Sequence, residues 1–145
     1  MNKITERLSK HVADLGVLYV KLHNYHWHVE GMKFSTIHAL TEGYYDEVTE
    51  AFDTIAERIL QLGETAPASM GEYLKLAGIQ EETAKKFTET EVVSKVKADF
   101  IYLAKELQET RIMAADSNDS TTDAILADII QNLEKAVWML GAMLK

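Results

Sequence analysis

His38 and Glu42 stand four residues apart, and so do Asp53 and Glu57. On a helix, residues four apart share a face, so each pair can chelate one cation. His26 lies on the other side of a connection at Gly31, and the midpoint of positions 26 and 38 falls beside that glycine. If the flanking segments are antiparallel helices, His26 and His38 stand at the same height. Two imidazoles with three carboxylates suit first-row ions such as iron, manganese or zinc, whereas calcium prefers oxygen throughout. The sequence has no cysteine, which removes thiolate ligands, cysteine nucleophiles and disulfides.

At roughly 100° per residue, positions 38, 42, 53 and 57 fall at about 0, 40, 60 and 100° around a helix axis. The apolar positions Ile37, Tyr44, Val48, Ile55, Ile59 and Leu62 centre about 145° from the middle of that arc, so the four ligand candidates face away from their own core. Glu42 and Asp53 are eleven residues apart, about 16 Å of helix, whereas a ligand atom sits about 2 Å from its metal. One chain therefore carries two half-sites. Antiparallel pairing with a second copy about a two-fold axis near Glu47 and Val48 brings each half opposite the other. His26, His38 and Glu42 would come from one subunit, and Asp53 and Glu57 from its mate.

Each piece alone has a plainer reading. A single His26 in an apolar stripe is more often a core histidine, and an isolated i,i+4 pair is more often a solvated helix face. Asp53 and Glu57 repel each other unless a cation, or a base such as Arg58, lies close. The joint spacing carries the metal hypothesis. The sequence contains no Glu-x-x-His, the motif that builds a di-iron centre inside a single bundle, so an ordinary intrasubunit centre is not expected.

Long helices must hold these residues. Ile4, Leu8, Val12, Leu15, Tyr19, Leu22 and His26 follow helical spacing and predict a helix over 2–29. A second helix over 35–62 ends at Gly63, suited to the left-handed position after a helix. Residues 64–82 include Pro67 and one short periodic piece, Met70, Tyr73, Leu74, Leu76 and Ala77, which predicts a crossover with a helix over 70–77. Thr88 and Glu91 form a capping box that opens a helix over 89–116, with Val92, Val96, Phe100, Leu103, Leu107 and Ala114 inward. A last helix over 121–144 is expected to bury Ile125, Ile129, Leu133, Val137, Leu140 and Leu144.

Short, long and short connections are the pattern of an all-α, ferritin-like four-helix bundle with one long crossover, here a single domain over 1–145. With one proline, seven glycines and 47% hydrophobic residues in 145, the composition favours long helices and one core. A net charge of −8 repels phosphates and attracts cations. No segment has the form of a signal peptide or reaches the roughly 18 apolar residues of a membrane span, so a cytoplasmic location is expected.

The run His23-Asn24-Tyr25-His26-Trp27, then Gly31, Phe34 and His38, then Asp53, Ile55-Ala56-Glu57-Arg58 and Gly63, resembles the signature of the Dps-like mini-ferritins. The crossover PASMGEYLKLAGIQEE is similar to the segment that carries that family's short extra helix, so the resemblance spans nearly the whole chain. It implies a hollow dodecamer that oxidises Fe(II), typically with hydrogen peroxide, stores ferric oxide and protects against oxidative damage. Asp53 and Glu57 of one subunit, with His26 of the two-fold mate, would hold the first iron, and Glu57 would bridge toward a weaker position near His38 and Glu42. Many members carry Asp where this chain has Glu42. Trp27, Tyr44 and Tyr45 would intercept stray oxidants.

Asp116, Asp119 and Asp123 fall where the family builds three-fold pores, although Asp119 or Ser120 also suits the cap of the last helix. The family's DNA-binding members commonly use lysine-rich tails. This chain has little before its first helix and ends at Lys145, so DNA binding is not expected. Two other readings are a non-enzymatic DNA-condensing nucleoid protein and a structural assembly whose intersubunit site holds zinc.

Overall fold

The computed structural model describes residues 2–145. Its elements are α1 (Lys3–His28), β1 (Val29–Glu30), α2 (Phe34–Gln61), α3 (Met70–Leu76), β2 (Phe87–Thr88), α4 (Glu89–Asp116) and α5 (Ser120–Met143). The four long helices form the bundle, and α3 rides on the crossover.

Local chemistry sets the helix ends. Asn2, Ser69, Thr88 and Asp119 are N-caps whose side chains accept a backbone N–H of the first turn. Gly63, at φ 89°, follows α2, with its own N–H on the Leu60 carbonyl and that of Glu64 on the Ile59 carbonyl. Asn118, at φ 60°, does the same after α4, where Asp119 N–H reaches the Ala114 carbonyl. Both are left-handed closures, and asparagine is the side chain that best tolerates this after glycine.

α1 packs along α2 as one antiparallel hairpin and α4 along α5 as another, while α1 also meets α4. Leu8, Leu15, Leu18, Leu22, Ile37, Ile55, Ile59, Leu103, Leu107 and Leu126 are fully buried between them. α2 and α5 touch only sparsely, and a cleft of about 430 Å³ is lined by Tyr44, Val48, Phe100 and Ile129 among others.

The structure departs from the periodicity in three places. α1 ends at His28, one residue before the predicted end, because Val29 turns extended and pairs in parallel with Phe87, as Glu30 does with Thr88. Tyr19 lies on the apolar stripe yet is 42% exposed, since its ring leans on His23 and Tyr45 at the rim. In α5 the buried set is Leu126, Ile130, Leu133, Ala136 and Leu140, while Ile125, Ile129 and Val137 are half-buried and Leu144 is exposed. That helix is apolar on more than one face, with Trp138, Met139 and Met143 also exposed, so spacing alone did not fix its rotation.

Buried polar side chains fasten the crossover to α1. The Asp14 carboxylate, fully buried, accepts the N–H groups of Gly78 and Ile79 at 2.7 and 2.9 Å and an ion pair from Lys10 at 3.1 Å. The Asn24 amide donates to the carbonyls of Glu82 and Ala84, each at 2.9 Å. At the α1-to-α2 connection Gly31 sits at φ 140° under the Glu89 carboxylate, which an added Cβ would force to move.

His11, fully buried, shares a 2.7 Å hydrogen bond with the Thr110 hydroxyl. Desolvation, followed by the charges of Arg7 and Lys10, pushes its pKa down to about 3. The unfolded chain takes up that proton near pH 6.5 and the folded chain only near 3, so the contribution is complete above 6.5 and is lost as pH falls from 6.5 toward 3. Urea unfolding of the wild type is expected to lose about 2 kcal/mol from this residue between pH 7 and 5. His11→Asn should flatten that slope.

Candidate metal centre

His26 lies in the last turn of α1 and His38 just past the first turn of α2, so the hairpin brings them together. Their rings stack with centroids 3.6 Å apart and planes 14° from parallel. Each is tied to the other's backbone. His26 Nδ1 is 2.7 Å from the His38 carbonyl, and His38 Nδ1 is 2.8 Å from the His26 carbonyl. A carbonyl only accepts, so both Nδ1 atoms carry a proton, and Nε2 is the ring atom of each that is left to face a metal.

His26 is 5% exposed. Burial holds its pKa below the usual histidine range, outweighing the opposing hydrogen bond to the His38 backbone, so the ring is neutral at pH 7. Its Nε2 lies 4.0 Å from Oε1 of Glu42, whose side chain is 56% exposed. Phe34 stacks over His38 at 5.0 Å and closes the outer side of the pair.

Asp53 and Glu57 are exposed on the outward side of α2, about 16 Å along the axis from Glu42. Glu57's pKa is raised, first by a hydrogen bond with Asp53 and then by that neighbour's charge. Arg58 does not relieve this repulsion. Its guanidinium turns to the start of α5, donating to the Thr122 hydroxyl at 2.9 Å and pairing with Asp119 at 2.9 Å. The carboxylate pair thus lacks a basic partner from the residue expected to supply one, and a cation would serve. Among the described residues, no three His, Asp or Glu side chains of one chain converge as a metal-holding group.

Around His26 lies an aromatic cluster that spacing did not reveal. Tyr45 stacks on His23 at 3.8 Å and meets His26 edge-on at 5.2 Å, and its hydroxyl reaches Glu42 at 3.5 Å. Trp27, 63% exposed, stands edge-on to His23 at 5.4 Å. Tyr44 belongs elsewhere, inside the bundle against Phe100. The buried Thr41, also missed, is 3.1 Å from His26 Nδ1.

At the α4–α5 turn, Asp119 is the cap of α5, accepting from Thr122 N–H at 3.0 Å and its hydroxyl at 2.6 Å as well as from Arg58. These bonds hold its carboxyl below the usual range despite desolvation. Asp123 accepts from Arg111 at 2.5 Å. Asp116 is exposed at the end of α4.

Known proteins resemble this chain along nearly its whole length. Residues 5–145 match the family described as Ferritin-like domain. The crystal structure of antigen TpF1 from Treponema pallidum superposes with a TM-score of 0.97 at 59% identity, covering 98% of this chain and 91% of that one. DNA protection during starvation protein 2 of Bacillus anthracis is 42% identical over 145 residues, 99% of each chain. The Dps protein of Vibrio cholerae O1, described as a member of a broad superfamily of ferritin-like diiron-carboxylate proteins, superposes with a TM-score of 0.95 at 32% identity, covering 99% of this chain and 89% of that one. The chain belongs to the ferritin-like family, in its Dps branch.

Proposed function

We propose that the protein is a ferroxidase and iron store that oxidises Fe(II) to Fe(III), preferentially with hydrogen peroxide, at sites formed between two-fold related subunits of a dodecameric shell. The observation that carries this reading is the division of the ligands. His26 and His38 are locked with Nε2 free beside Glu42 at one end of the outward face, and an unneutralised Asp53–Glu57 pair lies about 16 Å away at the other. An antiparallel mate supplies to each half the ligands it lacks. Diiron-carboxylate membership of a relative at 32% identity supports iron as the substrate.

Two ferrous ions each give one electron to one peroxide. Its O–O bond breaks, the oxygens leave as water or as oxide of the mineral, and hydrolysis of Fe(III) releases protons. Taking both electrons together avoids a free hydroxyl radical. The carboxylates favour the harder ferric ion, while the neutral imidazoles hold the ferrous one. Trp27, exposed and in ring contact with His23, is placed to intercept an oxidant that escapes.

A three-fold entry pore would draw on Asp116 most directly, because Asp119 and Asp123 are engaged by Arg58 and Arg111. Manganese or zinc would compete for the same ligands. The net charge of −8 supports protection by removal of iron and peroxide rather than by coating DNA. No helix among the described residues is long and apolar enough to cross a membrane, which is compatible with action in the cytoplasm.

Stopped-flow absorbance should show Fe(II) oxidation faster with peroxide than with oxygen, in a particle about twelve times the 16.4 kDa chain mass. His26→Ala and Asp53→Ala should each slow it by more than about 100-fold, beyond the 10–100-fold typical of outer-shell changes. A stable monomer without iron oxidation would contradict the proposal. Tight zinc binding without oxidation would favour the structural reading, and a salt-dependent gel shift the nucleoid one.

A further inference from the structure

Thr41 occupies the interior of α2 and is 1% exposed. Helix propensity disfavours threonine there, and an aliphatic side chain of similar volume would fill the space without a polar atom. The hydroxyl therefore needs partners, and it has them. Its oxygen is 2.8 Å from the Ile37 carbonyl, 3.1 Å from the His38 carbonyl and 3.1 Å from His26 Nδ1.

A hydroxyl has one proton. Once that proton is given to a carbonyl of the preceding turn, the oxygen can only accept from the imidazole. His26 Nδ1 then faces two acceptors, Thr41 Oγ1 and the His38 carbonyl at 2.7 Å. The opposite tautomer would set the Nδ1 lone pair against both oxygens. His38 lies inside the helical ladder, so its carbonyl is also the acceptor one turn below Glu42 N–H. Thr41 Oγ1 offers the imidazole N–H a second acceptor and fixes the ring from a second direction. Its neighbour Glu42 carries the carboxylate nearest to His26 Nε2, so one turn of α2 sets both the ring and the charge beside it.

We propose that Thr41 is a positioning residue for the metal centre, holding His26 in the Nδ1–H tautomer and in the plane that directs Nε2 outward to the ion. Its role in iron oxidation rests on the ferroxidase reading, whereas its effect on His26 and on a redox-inert metal does not. Outer-shell partners of metal-binding histidines commonly set affinity by 10–100-fold.

The test uses the full-length protein labelled with 15N-histidine, with the His26 signal assigned by its loss in His26→Ala. In the wild type His26 is expected in the Nδ1–H tautomer that its two acceptors select, and an Nε2–H tautomer would overturn the proposal before any variant is made. Thr41→Val leaves the His38 carbonyl as the one acceptor facing His26 Nδ1, so it should raise the minor Nε2–H fraction above the wild-type level and weaken Zn(II) binding, measured by calorimetry, by about 10–100-fold. Thr41→Ser should restore both. Wild-type affinity and a wild-type Nε2–H fraction in Thr41→Val would refute the role. If the tautomer and Zn(II) responses appear but the wild type does not oxidise Fe(II), the positioning role stands and the ferroxidase reading fails.

Discussion

The reciprocal hydrogen bonds between two imidazoles and two backbone carbonyls at the α1–α2 hairpin are the constraint on which the proposed metal centre depends. They convert histidines that could have been packing residues into two rings of defined tautomer. Their geometry depends on the hairpin register, which Gly31 permits by turning at φ 140° beneath Glu89. The pairing of Val29 with Phe87 then ties the same turn to the crossover and to the start of α4. The bundle and the proposed half-site are therefore stabilised by the same contacts. Loosening the turn would cost the site its geometry before it cost the helices their burial.

The other half of the ligand set is held in the opposite way. Asp53 and Glu57 are exposed, and the neighbouring Arg58 is engaged with the α5 cap. Where His26 is pre-organised by burial, the carboxylates are left in mutual repulsion. A cation arriving between subunits of the proposed assembly would gain from both conditions, meeting imidazole nitrogens on one side and paired carboxylates on the other. In the proposed assembly, ion binding and subunit pairing are thereby linked, each favouring the other.

Much of this was legible in the sequence where the signal is local. The cap at Thr88 and the closure at Gly63 depend on residues within one turn, and both form as their chemistry dictates. The stacking of His26 on His38 follows from hairpin symmetry about Gly31. What escaped has no local signature. The β1–β2 pair joins residues 29–30 to 87–88, and Asp14 reaches Gly78 across the crossover. The tautomer lock uses backbone carbonyls, which every residue possesses, so no spacing of side chains announces it. The rotation of α5 was ambiguous because that helix offers two apolar faces, and Thr41 was hidden by its resemblance to a filler. A buried threonine three residues after a ligand candidate was the one available sign.

The division of the site between subunits is tested most directly by mixing two damaged chains. His26→Ala and Asp53→Ala proteins, each inactive alone, are dissociated, combined in equal amounts and reassembled, and Fe(II) oxidation by peroxide is followed. A mixed pair contains one site with both changes and one site with neither. Random pairing about the two-fold axis should therefore restore about a quarter of wild-type activity. No recovery in fully exchanged oligomers would place all the ligands within one chain and contradict the shared site.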